Sequence, residues 1–229
     1  MSPSEPHPAA EKARPLAKTE ARSPLAQLLH ALNQPLTGLQ CSMEVALAGP
    51  RTPEQYVRGL REGLELTERM RVLVGAIREV ADVEGEKNEE QETTELKTLL
   101  REVLDDLAPV AEGKGVRIAL DGSAASWVVR AARRRLATVV FRLLESALSL
   151  ADPGSTMRIE MDGAPDEVWM RIRWHGARPP WAFSRPELGL LVAQAGLERG
   201  GAEWERERTE NLETVTVRLR GVSGGSESS

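Results

Sequence analysis

The sequence has one cysteine, Cys41, three histidines and few aromatic residues: five tryptophans, two phenylalanines and one tyrosine. A single cysteine excludes an intrachain disulfide and any cysteine-based zinc spacing. It fits a reducing, cytoplasmic setting. Neither sign of charge dominates: 30 basic residues mix along the chain with 35 acidic ones, for a net charge of -5. Without a basic excess or stripe, a general nucleic-acid or anionic-membrane binder is not expected. No apolar run reaches the roughly 18 residues that span a bilayer. The N-terminus has no signal-peptide core. The expectation is a cytoplasmic protein, with no nucleic acid and no membrane among its partners, whose input arrives through another protein.

What is present is ordinary for a globular chain of one or two domains: 229 residues, 41% hydrophobic and 28% charged. No internal repeat is evident. Residues 1–22 hold several prolines and little periodicity, and 222–229 are rich in Ser and Gly. Both read as disordered tails.

Ser23-Pro24 is a helix start, with Ser as N-cap and Pro at the first helical position. Leu25, Leu29, Leu32, Leu36, Leu39 and Met43 then follow at alternating steps of four and three, a coiled-coil seam. Gly49-Pro50 stops this helix. Thr52 and Gln55 form a capping box for the next one. Its seam is Val57, Leu60 and Leu64, then Met70, Leu73, Ile77 and Val80, with a register shift between Thr67 and Met70. Two such helices predict an antiparallel hairpin over 23–83. Pairing two hairpins in a homodimer completes a four-helix bundle.

Residues 84–92 read as a charged linker, and 93–221 as a second domain. Helices are expected over 95–112, 131–151 and 186–199. Strands are expected at 116–120, 126–130, 157–161 and 167–174, with a final hairpin around Glu210-Asn211. The fold class is α+β, a helical hairpin followed by an α/β sandwich with helices on one face of a mixed sheet.

His30 lies one residue past the seam position Leu29, so it points sideways toward solvent. Pro35, five residues on, removes a backbone hydrogen bond and bends the helix beside it. Imidazole is a phosphoryl nucleophile and titrates near neutrality. From position alone His30 is a surface histidine. The string Leu29-His30-Ala31-Leu32-Asn33-Gln34-Pro35-Leu36 resembles the phosphoacceptor box of two-component histidine kinases, commonly His-Glu-Leu-Asn-Gln-Pro-Leu. The resemblance covers roughly residues 23–220. It implies that His30 is the phosphoacceptor, that Asn33 and Gln34 act beside it, and that response-regulator receiver domains dock near Leu28, Asn33 and Gln34. Gln34, four positions after the histidine, is where the family can align a water for receiver dephosphorylation. Where the family has a carboxylate base, this chain has Ala31. Loss of a general base typically costs a factor of roughly 10²–10⁴ in rate.

The second half resembles the family's Bergerat-type ATP-binding domain, with altered nucleotide boxes. The asparagine box reads Arg142-Leu143-Leu144-Glu145-Ser146-Ala147, without either asparagine. The adenine box reads Trp174-His175-Gly176-Ala177-Arg178, with Trp174 in place of the aspartate and Arg178 in place of the second glycine. The phosphate-side glycine box reads Glu187-Leu188-Gly189-Leu190. A carboxylate at a phosphate-binding helix start repels phosphate. The segment 177–185 is short and rich in proline for an ATP lid. His175 reads as a surface residue, and His7 lies in the tail.

These departures lead to an expected function: an ATP-independent histidine phosphotransferase in a phosphorelay, passing phosphoryl groups between receiver aspartates through His30. It would need no cofactor of its own, the receiver supplying Mg²⁺. Its partners would be receivers, a second copy and a hybrid kinase. Two alternatives stand beside it: a pseudokinase scaffold that sequesters receivers or a kinase, and an active histidine kinase.

Overall fold

The computed structural model describes residues 23–85, 90–122, 127–164, 166–176 and 183–222. The tail expected at 1–22, all but Val222 of the tail expected at 222–229, residues 86–89 of the linker expected at 84–92, residues 177–182 of the expected lid segment, His7 and Arg178 lie outside the described residues.

Helix α1 (Pro24–Leu47) begins as the sequence predicts: the Ser23 hydroxyl accepts from the Ala26 N–H, and Pro24 follows. Helix α2 (Pro53–Gly85) opens with the capping box. Thr52 N–H donates to Gln55 Oε1 at 3.0 Å, and Gln55 N–H to Thr52 Oγ1 at 3.3 Å. The two helices pack as a hairpin. The residues that α1 buries are not the expected seam. Leu28 (0% exposed), Ala31 (1%) and Pro35 are covered, whereas Leu29, Leu36 and Met43 stay about half exposed.

The α/β half starts with a strand that the sequence reading missed, β1 (Glu92–Glu95), which pairs with β3 (Val128–Ala131). Helix α3 (Leu96–Lys114) ends at Gly115, whose φ of 69° is the left-handed cap that glycine supplies at least cost. Then come β2 (Arg117–Gly122), α4 (Arg133–Leu150), β4 (Thr156–Ala164), β5 (Glu167–His175), α5 (Arg185–Arg199), β6 (Glu203–Thr209) and β7 (Leu212–Arg220). The large sheet runs β2-β4-β5-β7-β6. Only β2 and β4 pair in parallel, so the sheet is mixed as expected.

Alternation decides which face is covered. Met157, Ile159 and Met161 of β4, Val168, Met170, Ile172 and Trp174 of β5, and Val215 and Val217 of β7 are buried in one core with Leu99, Leu107, Leu143 and Leu144 of α3 and α4. A second, smaller cluster joins the two halves of the chain. Leu28, Ala31, Leu73, Ala76 and Val80 of the hairpin pack with Leu188, Val192 and Ala195 of α5. Among the described residues, no helix is long and apolar enough to cross a membrane.

Candidate functional site

His30 is exposed on α1, and so are Asn33 and Gln34 one turn on. Thr37 donates to the Asn33 carbonyl at 2.9 Å, which occupies backbone beside Pro35. The three residues share a solvent-facing patch at the edge of the cluster that holds α5 on the hairpin. Leu28 does not belong to it. It was expected to meet a receiver, yet it is fully buried. The reason is a non-local contact: α5 lies on the face of α1 that carries Leu28 and Ala31.

The three nucleotide boxes converge at one end of the α/β half, and each altered residue has a visible occupation. Trp174 is 0% exposed, and its indole nitrogen has no hydrogen-bond partner within the protein. It fills core where the resemblance places a carboxylate. Gly176 survives because a Cβ there would lie 2.2 Å from the Leu150 carbonyl oxygen of α4. Gly189 survives because a Cβ there would lie 2.1 Å from Ser146 Oγ. The asparagine box and the glycine box are therefore in direct contact, α4 against α5, at small residues on both sides.

Glu187 was expected to repel phosphate from the start of α5. It is instead drawn inward. Arg206 grips it through two hydrogen bonds, 2.6 and 3.0 Å, and also reaches Glu213 at 3.0 Å. Arg208 pairs with Glu213 at 2.8 Å and donates to the Gly176 carbonyl at 3.1 Å. Burial works against the charge on Arg206, but the bonds from Glu187 and Glu213 outweigh it and hold the guanidinium well above its ordinary pKa. Glu213 sits in register with Trp174 across β5 and β7. Tryptophan and this ion cluster together occupy the corner where the family's adenine and phosphate residues would stand.

An open cleft of about 540 Å³ remains beside that corner, between α2, α4 and α5. Arg71, Arg142 and Arg185 line it, with Glu79, Glu145 and Ser146. Arg142 pairs with Glu79 of α2. Arg71 pairs with Glu68 at 2.6 Å, which raises the arginine's pKa and lowers the glutamate's. The sequence reading found Arg142 through its box but missed Arg71 and Arg185, because only the docking of α2 on α5 brings them together. Among the described residues no group of acidic, His or Cys side chains is arranged to hold a metal. His175, at the end of β5, is exposed.

No protein-family model matches the chain. In sequence it is similar to the sensor protein CopS of Pseudomonas syringae pv. tomato, 26% identical over 148 residues, 64% of this chain and 30% of CopS. The chain thus spans about a third of that relative's length. In fold it is similar to the histidine kinase AdeS of Acinetobacter baumannii, with a TM-score of 0.54 and 18% identity over 83% of this chain and 97% of that one. It is also similar to the histidine kinase ThkA. The catalytic domain of ThkA gives a TM-score of 0.52 at 18% identity, covering 58% of this chain and 99% of that one. The ThkA complex with the response regulator protein TrrA gives 0.58 at 17% identity, covering 87% and 61%. The chain is similar in sequence to a sensor protein, and its α/β half has the fold of the histidine kinase catalytic domain.

This corrects the function expected from the altered boxes. An ATP-independent phosphotransferase was expected. The sequence relative is a sensor protein and the fold neighbours are histidine kinases, one of them matched by its catalytic domain alone, which favours a kinase over a carrier without nucleotide.

Proposed function

We propose that this chain is a histidine-kinase-type module of a two-component system, with His30 as phosphoacceptor and a response-regulator receiver as its partner. The observation that carries the proposal is the exposed His30 on a capped helical hairpin, beside the cluster in which a catalytic-type α/β half is docked. A phosphorylated His30 carries the phosphoryl group on a ring nitrogen; attack by a receiver aspartate on the phosphorus breaks that P–N bond and returns the imidazole. Asn33 and Gln34 stand where an incoming receiver would meet α1. In this reading Gln34 orients a water toward the receiver's phosphoaspartate, so Gln34→Ala should slow loss of phosphate from the receiver; an unchanged rate removes that role. The ThkA–TrrA neighbour supports a receiver as the class of partner. The apolar face of the hairpin supports a homodimer. Leu36, Met43, Leu60 and Leu64 are 52–71% exposed in the single chain.

The usual nucleotide seat does not fit its ligand here. Trp174 fills the adenine corner, and Ser146 lies against Gly189. The cleft beside them holds Arg71, Arg142 and Arg185, whose guanidinium groups suit phosphate, and a phosphate there would compete with Glu68 and Glu79 for the first two. Ala31 supplies no general base, so labelling of His30 should be slow, by about 10²–10⁴-fold against a kinase that has one.

The test is incubation with γ-labelled ATP and Mg²⁺ over hours, with mapping of acid-labile label. Label on His30 that disappears in His30→Ala and falls in Arg142→Ala supports the proposal. Absence of label, or label that survives His30→Ala, overturns it.

A further inference from the structure

A second cavity, of about 850 Å³, lies at the opposite end of the α/β half from the nucleotide boxes. It is walled by the start of α4, the end of α5 and the last residues of β3 and β7. Its charged lining is of one sign: Arg130, Arg135, Arg199 and Arg220, with no carboxylate among the described residues that line it. That is unexpected in a chain of net charge -5.

Two of these arginines stand on neighbouring strand ends. Val129 bridges Gly221 in antiparallel fashion, and Val222 N–H donates to the Val128 carbonyl at 2.9 Å. One step along the same register, Arg130 comes opposite Arg220. Like charges directly opposite on neighbouring strands repel. On its other side Arg220 has Glu167 as its strand neighbour, but Glu167 does not line the cavity. The α4 N-terminus adds to the positive field. Ala132 is its N-cap and makes no side-chain cap bond, so the first N–H groups of the helix have no acceptor from that residue. Apolar side chains complete the wall, among them Leu136 and Leu197.

We infer that this cavity binds a small ligand carrying clustered phosphate groups. Guanidinium groups match phosphate oxygens in geometry as well as charge. A multiply charged anion between Arg130 and Arg220 is attracted to both guanidinium groups. The volume and the apolar wall leave room for an organic body attached to the phosphates. The site also touches the junction of the two halves. Arg135 donates to the Val83 carbonyl near the end of α2 at 3.1 Å, so a ligand that draws this guanidinium inward competes with that bond. The inference stands apart from the proposed kinase role, whose cleft is lined by other residues.

The experiment is calorimetric titration of the full chain with two probes, inorganic tripolyphosphate and ATP without Mg²⁺. It is repeated on Arg142→Ala, on the double variant Arg130→Ala/Arg220→Ala and on Arg130→Lys/Arg220→Lys. Binding is expected for the intact chain and for Arg142→Ala, about a hundredfold weaker in the double alanine variant. The double lysine variant, which keeps the charge, should recover part of it and shows that the fold survives. Tighter binding of ATP than of tripolyphosphate identifies the ligand as an organic phosphate, and the reverse as an inorganic polyphosphate. No binding by the intact chain, or equal binding by the double alanine variant, overturns the inference.

Discussion

Ala31 is 1% exposed and shares an apolar cluster with Leu188 and Val192 of α5. At this position a carboxylate would serve His30 as a base, but it would also stand inside that cluster without a partner. Burying an unpaired charge there is costly. Ala31→Glu should therefore release the α/β half from the hairpin, seen as a larger radius of gyration in small-angle scattering. In the kinase reading it should also speed His30 labelling. An unchanged radius would mean that the cluster does not hold the halves together. Arg206 poses the opposite problem. It stands between two buried carboxylates, Glu187 (8% exposed) and Glu213 (2%). Arg206→Ala leaves both without their shared cation, and removing one partner from a buried ion cluster typically costs about 3–5 kcal/mol. Chemical denaturation should show a loss of that order. A loss below about 1 kcal/mol would mean that water already screens the cluster.

Helices α4 and α5 meet at two glycines of α5 spaced seven apart. Gly189 faces Ser146, and Gly196 faces Val139, where an added Cβ would lie 2.6 Å from a Val139 methyl. The two helices thus run antiparallel at close approach. Ser146→Asn, which puts back the family's asparagine, adds bulk at the tightest point of that contact. It should destabilise the protein by about 1–3 kcal/mol and leave nucleotide affinity no higher; a rise in affinity with no thermal cost would contradict the packing. Contacts of this kind explain what the sequence did and did not reveal. Helices α1 to α5 and the β6–β7 turn at Glu210, with its φ of 52°, were legible because caps, periodicity and turn residues are local signals. Strand β1, Glu92–Glu95, was not, because four polar residues carry no periodicity and only pairing with β3 makes them a strand. The face of α1 that α5 covers, one position before the seam, was not legible, since α5 reaches it from more than 150 residues away in sequence. Glu187 was legible as a charge but not as half of an ion pair, because its partner Arg206 sits on an edge strand whose alternation gives no hint of burial.

At the scale of the whole molecule, the hairpin divides into two stretches with different neighbours. Near α5, Leu28, Leu73 and Val80 are fully buried within the single chain. Toward the turn, Leu36, Met43, Val57, Leu60 and Leu64 are 46–71% exposed, and Leu39, Met43, Leu60 and Leu64 line an open groove. The register shift after Thr67 separates the two. One stretch faces the α/β half, and the other is left for a second copy. Burying a leucine side chain fully contributes about 1.5–3 kcal/mol, and each protomer of the proposed dimer would bring several. Leu60→Glu/Leu64→Glu places two like charges in the seam of each copy. Both side chains already lie in solvent in the single chain, so the fold should survive, with the circular dichroism spectrum unchanged. Sedimentation velocity should then report a monomer where the unaltered chain sediments as a dimer. A double variant that still sediments as a dimer would move the interface to another face, and an unaltered chain that sediments as a monomer would remove the dimer from the proposed function.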